Sequence, residues 1–236
     1  MSDKNIDSKQ QKKIIIIGCG GHARSVCDTL SILPEQYEIE NKNFVYEGIK
    51  TIGIDDDLQQ IYDLGIHKAV LGIGFLGHGS LRNDLIAKLH NIGFSFPTIV
   101  DPTAIVSKSV KIGEGTFIGK NAVVNANARI GRYCIINSCS LVEHDCRIGD
   151  FTHIAVAACV CGGVTVGKEC LVGANATIIQ GLSVADHSIV PAGNVIRRHV
   201  KTDGIKESID MREDIMGGVI RRSMRMHGKE ENFLCV

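Results

Sequence analysis

No stretch of this 236-residue chain is apolar for anything near the ~20 residues that a bilayer-spanning helix needs. The longest obvious apolar run, Ile14–Ile17, has a strand's length, and the polar segment Met1–Lys13 before it lacks the apolar stretch of a secretory signal. An excess of charge is missing too. Lysine plus arginine is 26 and aspartate plus glutamate is 26, and the body of the chain shows no basic run of the kind that marks a nucleic-acid binder. The nine cysteines show no zinc-type spacing, their odd number does not suit a disulfide framework, and Cys235 stands too near the C-terminus for prenylation. Small reduced thiols in a cytoplasmic protein are therefore expected.

What the chain has instead is a repeat. Stepping by six from Val106 to Ile196, sixteen successive positions are all valine or isoleucine. Three hexads make one triangular coil of 18 residues, with the branched residue at position i pointing into the prism, where such side chains suit a pleated, stacked surface. Position i+4 is mostly small, as at Ala122, Cys134, Ser140, Cys146, Thr152 and Cys170, because bulk at both positions would overfill the interior. Glycine often follows the i residue, at Gly113, Gly119, Gly131, Gly149, Gly167 and Gly173, where corners are expected to need permissive dihedrals. Sixteen hexads give a little over five coils and, at ~4.8 Å per coil, a column roughly 25 Å tall. No hexad carries an insertion.

The fold class expected is an α/β N-terminal unit followed by this parallel β-helix, with residues 1–11 a disordered tail. Lys13–Ile17 reads as a buried strand running through Gly18-Cys19-Gly20-Gly21-His22 into a helix, Ala23–Leu30, and such a turn offers backbone amides to a phosphate. Further strands are expected at Asn43–Tyr46, Ala69–Ile73 and Ser95–Val100, and a helix at Leu81–His90, making residues 12–100 a Rossmann-like βαβ domain. About 90 residues suit a mononucleotide or nucleotide-sugar better than a dinucleotide, with Glu47 as the available acid. Residues 101–199 are the β-helix, and 200–236 an extension. Within it Met211, Ile215, Val219, Ile220 and Met224 lie at helical spacing, so a helix packed over the last coils is expected.

His144 occupies position i+2, outside the interior rows, between Glu143 and Asp145. A histidine works as a base near neutrality, and a neighbouring carboxylate can fix its tautomer. One coil away on either side stand Ala126 and Gly162, small enough to leave room for a substrate, and the amide of Gly162 or Gly163 could serve a developing oxyanion. Direct attack by a bound acceptor is expected rather than an acyl-enzyme, and no metal is required.

Two strings, Ile-Gly-Cys-Gly-Gly-His-Ala at residues 17–23 and Val-Glu-His-Asp-Cys-Arg-Ile-Gly-Asp-Phe-Thr-His at 142–153, resemble the sialic-acid O-acetyltransferase and nucleotide-amino-sugar N-acetyltransferase family of bacterial glycan pathways. The resemblance implies a left-handed β-helix, a homotrimer, acetyl-coenzyme A as donor, and a nucleotide-sugar held by the N-terminal domain. It assigns His144 as general base, with Asp145 and Glu143 beside it. His153, Ala174 and Ala192 would lie against the donor, and Gly20, Gly21, His22 and Glu47 against the nucleotide-sugar. The family's closing Gly-x-Pro-Ala-Lys motif is absent, and Lys201–Val236 stands in its place. N-acetylation of a nucleotide-linked amino-sugar is the expected activity. O-acetylation of a sugar such as sialic acid is the alternative, and a non-catalytic sugar-nucleotide scaffold is the reading of another class.

Overall fold

The computed structural model describes residues 13–33, 38–39, 51–77, 80–201 and 233–235. Seventeen two-residue strands, β5 (Ile99–Val100) to β21 (Val195–Ile196), stack into three parallel sheets. Each strand pairs in register with the one 18 residues on, as Leu141 with Cys159 and Val142 with Val160. The result is a three-sided parallel β-helix, with the i residues and the small i+4 residues in one continuous interior. Hydroxyls and thiols at i+4 are satisfied there: Thr152 Oγ1 donates to the Gly167 carbonyl (2.7 Å), and Cys134 Sγ to the Gly149 carbonyl (3.1 Å).

The corners correct one expectation. Left-handed backbone falls at i+3 and not at the i+1 glycines: every i+3 residue from Gly115 to Gly193 has φ between 51 and 71°, Tyr133, Phe151 and Glu169 included. That conformation turns the i+3 amide along the column onto a carbonyl of the preceding coil, as Asp145 N–H donates to Ala126 (2.9 Å). The i+1 glycines answer a different demand, close approach of backbone to backbone. A Cβ on Gly149 would lie 2.5 Å from the backbone at Gly167 and Lys168, and one on Gly173 2.5 Å from the amide of Ala192.

The three faces differ in what they show outward. The β5 face carries Phe117, Ile135, His153, Leu171 and Ile189, and the N-terminal unit covers it, packing Ile14, Ile16, Ala23, Val26, Leu30 and Phe75 there. A second face carries Ile105, Val123, Leu141, Cys159, Thr177 and Val195, mostly apolar yet partly or fully exposed. The third carries Lys111, Arg129, Arg147, Thr165 and Ser183, all exposed.

In the N-terminal unit β1 (Lys13–Ile17) pairs in parallel with β2 (Glu38–Ile39) and β4 (Lys68–Leu71), and α1 (Gly21–Ser31) lies between β1 and β2 in the chain. Helices α2 (Leu58–Asp63) and α3 (Ser80–Ile92) follow. Two features depart from the sequence expectation. The sheet is mixed, because β22 (Phe233–Cys235) inserts antiparallel between β1 and β3 (Thr51–Ile54). The chain's last described residues thus join the N-terminal sheet and do not cover the final coils. Within Ser95–Val100, Ser95 makes only a bridge to Lys68, while Ile99–Val100 pairs with Phe117–Ile118 as the first rung of the column. Asn43–Tyr46 and residues 206–228 lie outside the described residues.

Candidate active site

His144 sits at a corner just after the strand Leu141–Val142. Glu143 and Asp145 flank it, and the backbone decides which one meets the ring. In an extended strand both would point away, but Asp145 has φ +60° and swings back, so that Asp145 Oδ2 lies 2.9 Å from His144 Nδ1. Glu143 turns elsewhere, accepting from the His144 amide (3.1 Å) and from Asn125 Nδ2 one coil away (3.1 Å). The Asp145 hydrogen bond raises the histidine's pKa above its ordinary 6.5, and the same bond, with a second from the Asn127 side chain, lowers that of Asp145. Nδ1–H is thus the donor, and Nε2 keeps its lone pair.

The ring does not leave the space beside Gly162 open for a substrate. It fills it: a Cβ on Gly162 would sit 2.6 Å from Nε2 and 2.8 Å from Cε1. Glycine at 162 is what lets the imidazole lie across the next coil. Of the two amides considered for an oxyanion, that of Gly163 is committed to the His144 carbonyl (2.9 Å), which leaves Gly162.

His22 and His153, which the resemblance gives to different ligands, meet at the junction of the N-terminal unit and the column. His153 is only 7% exposed, with Nδ1 donating to the Phe75 carbonyl (2.7 Å) and Nε2 accepting from Asn137 Nδ2 (3.1 Å). Both ring nitrogens are therefore engaged within the chain. Burial, and secondarily the charge of Arg82, holds His153 near 4. Burial and the same charge hold His22 near 3, with its ring edge-on to Phe117 at 5.2 Å. Both are neutral at physiological pH. Arg82, only 4% exposed, donates from Nη2 to the Tyr133 carbonyl (3.1 Å), while its Nε and Nη1 and His22 Nε2 have no hydrogen-bond partner among the described residues. Sequence reasoning missed Arg82, although the signal was present: it falls on the same stripe of α3 as Leu85, Ile86 and Leu89.

Gly20 and Gly21 open α1 on the surface, and a Cβ on either would meet nothing within 4 Å. Space gives no reason for glycine there, in contrast to Gly18, where φ is +102° and a Cβ would strike Ile73. Ala174 and Ala192 stack one coil apart at i+2, both exposed, with the Gly193 amide donating to the Ala174 carbonyl (2.9 Å). Glu47 lies outside the described residues. Burial raises the thiols of Cys159 to about 11, Cys134 to about 12 and Cys170 to about 11, which keeps these three protonated. Ser188 follows His187 in sequence but faces the interior, donating to the Ala185 carbonyl (2.7 Å). No group of three or more metal-ligating side chains gathers among the described residues, and none of their helices is long and apolar enough to cross a membrane.

Two family models match the column: bacterial transferase hexapeptide (six repeats) over residues 109–144, and hexapeptide repeat of succinyl-transferase over 163–198. No curated protein matches the sequence. Among solved structures, PerB from Caulobacter crescentus, in complex with CoA and GDP-perosamine, is 34% identical, with 80% of this chain and 89% of that chain covered and a TM-score of 0.72. A variant of perosamine N-acetyltransferase from the same organism is 33% identical over the same shares, with a TM-score of 0.73. The acetyltransferase domain of PglB from Neisseria gonorrhoeae FA1090, in complex with acetyl coenzyme A, is 28% identical, covering 80% of this chain and 93% of that one, with a TM-score of 0.73.

Proposed function

The chain belongs to the hexapeptide-repeat acetyltransferases that act on nucleotide-linked amino-sugars, and on that premise we propose that it transfers an acetyl group from acetyl-coenzyme A to the amine of such a sugar. The observation that carries the mechanism is the His144–Asp145 pair, 2.9 Å apart, which turns Nδ1–H to the carboxylate and leaves Nε2 of the neutral ring as the base. As the amine attacks the thioester carbonyl, His144 Nε2 takes its proton, and Asp145 steadies the resulting imidazolium. The N–C bond forms, the tetrahedral oxyanion collapses, and the C–S bond breaks. The proton then passes from the imidazolium to the departing sulfur, so the products are the amide and free coenzyme A. The Gly162 amide is the nearest candidate donor to the oxyanion. The protonated Cys134, Cys159 and Cys170 and an inward-facing Ser188 support direct attack over an acyl-enzyme.

The bound molecules of the relatives, CoA with GDP-perosamine and acetyl coenzyme A, support the same pair of substrates here. The stacked Ala174 and Ala192 form a smooth strip for the donor, and the open glycines Gly20 and Gly21 let a nucleotide-sugar approach the N-terminus of α1. His153 can reach the donor only by giving up Asn137, because Phe75 holds its other nitrogen. The resemblance also carries a left-handed wind and a homotrimer. The apolar outward row from Ile105 to Val195, unlike the covered face, suits packing against another copy. Sedimentation at micromolar concentration checks the trimer, and a stable monomer argues against it. The direct test of the activity is release of coenzyme A over a panel of GDP- and UDP-linked amino-sugars and sialic acids. Transfer only to hydroxyl acceptors would overturn the amine assignment, and no transfer at all would favour a binding protein.

A further inference from the structure

The three outward rows divide the column's work: the N-terminal unit covers one face, an apolar row suits a second copy, and the third carries charge. On that third face Lys111, Arg129 and Arg147 stand directly above one another, paired in register through β-strands. Like charges placed opposite on adjacent strands repel, so the stack costs stability unless an anion neutralises it. The carboxylates of the neighbouring corners have other partners, Glu114 interacting with Tyr133 and Arg132. Asp145 is bound by His144, and Asp150 is held by the Arg132 guanidinium and amide at 2.8–3.2 Å. Asp186 accepts from the Lys168 amide at 2.9 Å. None of the three cations makes an ion pair with a described residue. Two residues on from each, Gly113, Gly131 and Gly149 bring successive coils into close backbone contact, which holds the three cations in one tight ladder. The stack also ends at the proposed catalytic corner, since Arg147 lies two residues beyond Asp145.

Resting on the acetyltransferase reading above, we propose that Lys111, Arg129 and Arg147 bind the diphosphate of a substrate delivered to His144. Guanidinium groups pair with phosphate oxygens through charge-assisted hydrogen bonds, and a ladder at ~4.8 Å spacing can engage both phosphates of a diphosphate. Both substrates carry that group, the acceptor in its nucleotide and the donor in coenzyme A, and the test separates them. Isothermal titration compares the wild-type chain with an Arg129→Gln/Arg147→Gln variant, using GDP, UDP, the matching nucleosides and coenzyme A as probes. Removal of each arginine is expected to weaken the bound diphosphate roughly tenfold, while nucleoside affinity stays put and Arg147→Lys retains most of the binding. Loss for GDP or UDP assigns the ladder to the acceptor, and loss for coenzyme A alone assigns it to the donor. Unchanged affinity for every diphosphate, or an equal loss for the nucleosides, overturns the proposal. Binding is measured without turnover, so a chain that binds diphosphate through the ladder yet acetylates no amino-sugar sinks the activity reading alone.

Discussion

Replacing Gly162 by alanine should damage catalysis without touching the base itself. The added Cβ would lie 2.6 Å from His144 Nε2, and ordinary contact begins near 3.4 Å, so the ring must withdraw by about 0.8 Å. The exposed imidazole can move, so the fold should survive; Gly162 is not among the positive-φ glycines, and alanine strains no dihedral there. A misplacement of about 1 Å at a catalytic centre can cost ~10²-fold in rate, and kcat for the amino-sugar should fall by that order. Donor affinity should change little, because Ala174 and Ala192 lie on a different corner. The measurement is steady-state coenzyme A release at saturating donor, alongside thermal melting and donor titration. Wild-type kcat in a Gly162→Ala protein whose ring has demonstrably shifted would refute the claim that this imidazole position is the working one.

Other consequences follow from the same residues. His144→Ala should lower kcat by ~10²- to 10⁴-fold while leaving the donor KM near its wild-type value, which turnover kinetics read directly. A base must be neutral to accept a proton, and Asp145 raises the His144 pKa above 6.5, so the rate should climb with pH through a midpoint above that value. In Asp145→Asn the midpoint should move down toward 6.5 and the plateau should fall; an unmoved acid limb in a pH–rate profile would count against the pairing. Gly149→Ala should destabilise the column by about 1–3 kcal/mol through collision with the next coil's backbone, more than Gly163→Ala, where open space leaves only the left-handed φ. Thermal denaturation ranks the two. Arg82→Met should be neutral or stabilising in the same assay, because it removes a buried charge that pairs with no carboxylate among the described residues.

The column was legible from sequence because its period leaves little freedom: a branched residue every six positions and a small one four later admit one arrangement of interior and surface. The geometry of the pair proposed as catalytic was partly legible. Spacing put His144 outside the interior rows, but only the left-handed corner at residue 145 decides that Asp145 and not Glu143 meets the ring. The role of the i+1 glycines was misjudged, since glycine fits both an unusual dihedral and a tight approach, and composition does not separate them. The place of Arg82 on the buried stripe of α3 was legible, but its partner and the mixed N-terminal sheet were illegible for a common reason. Each depends on partners distant in the chain, Tyr133 for the arginine and Phe233–Cys235 for β1, and no local pattern announces those.

The register of the rungs turns the column into a ruler. Every i+2 residue on one edge differs from the next by one whole coil, so the height from His144 to the alanine strip at 174 and 192 can change only in steps of ~4.8 Å. A single-residue insertion rotates every following side chain off its edge, whereas adding or deleting 18 residues at once keeps each side chain on its edge and changes only the reach. On the reading proposed above, chains of this build would refit the reach of their donor by whole coils, and the spacing between His144 and the alanine strip is written in the count of hexads rather than in any flexible loop.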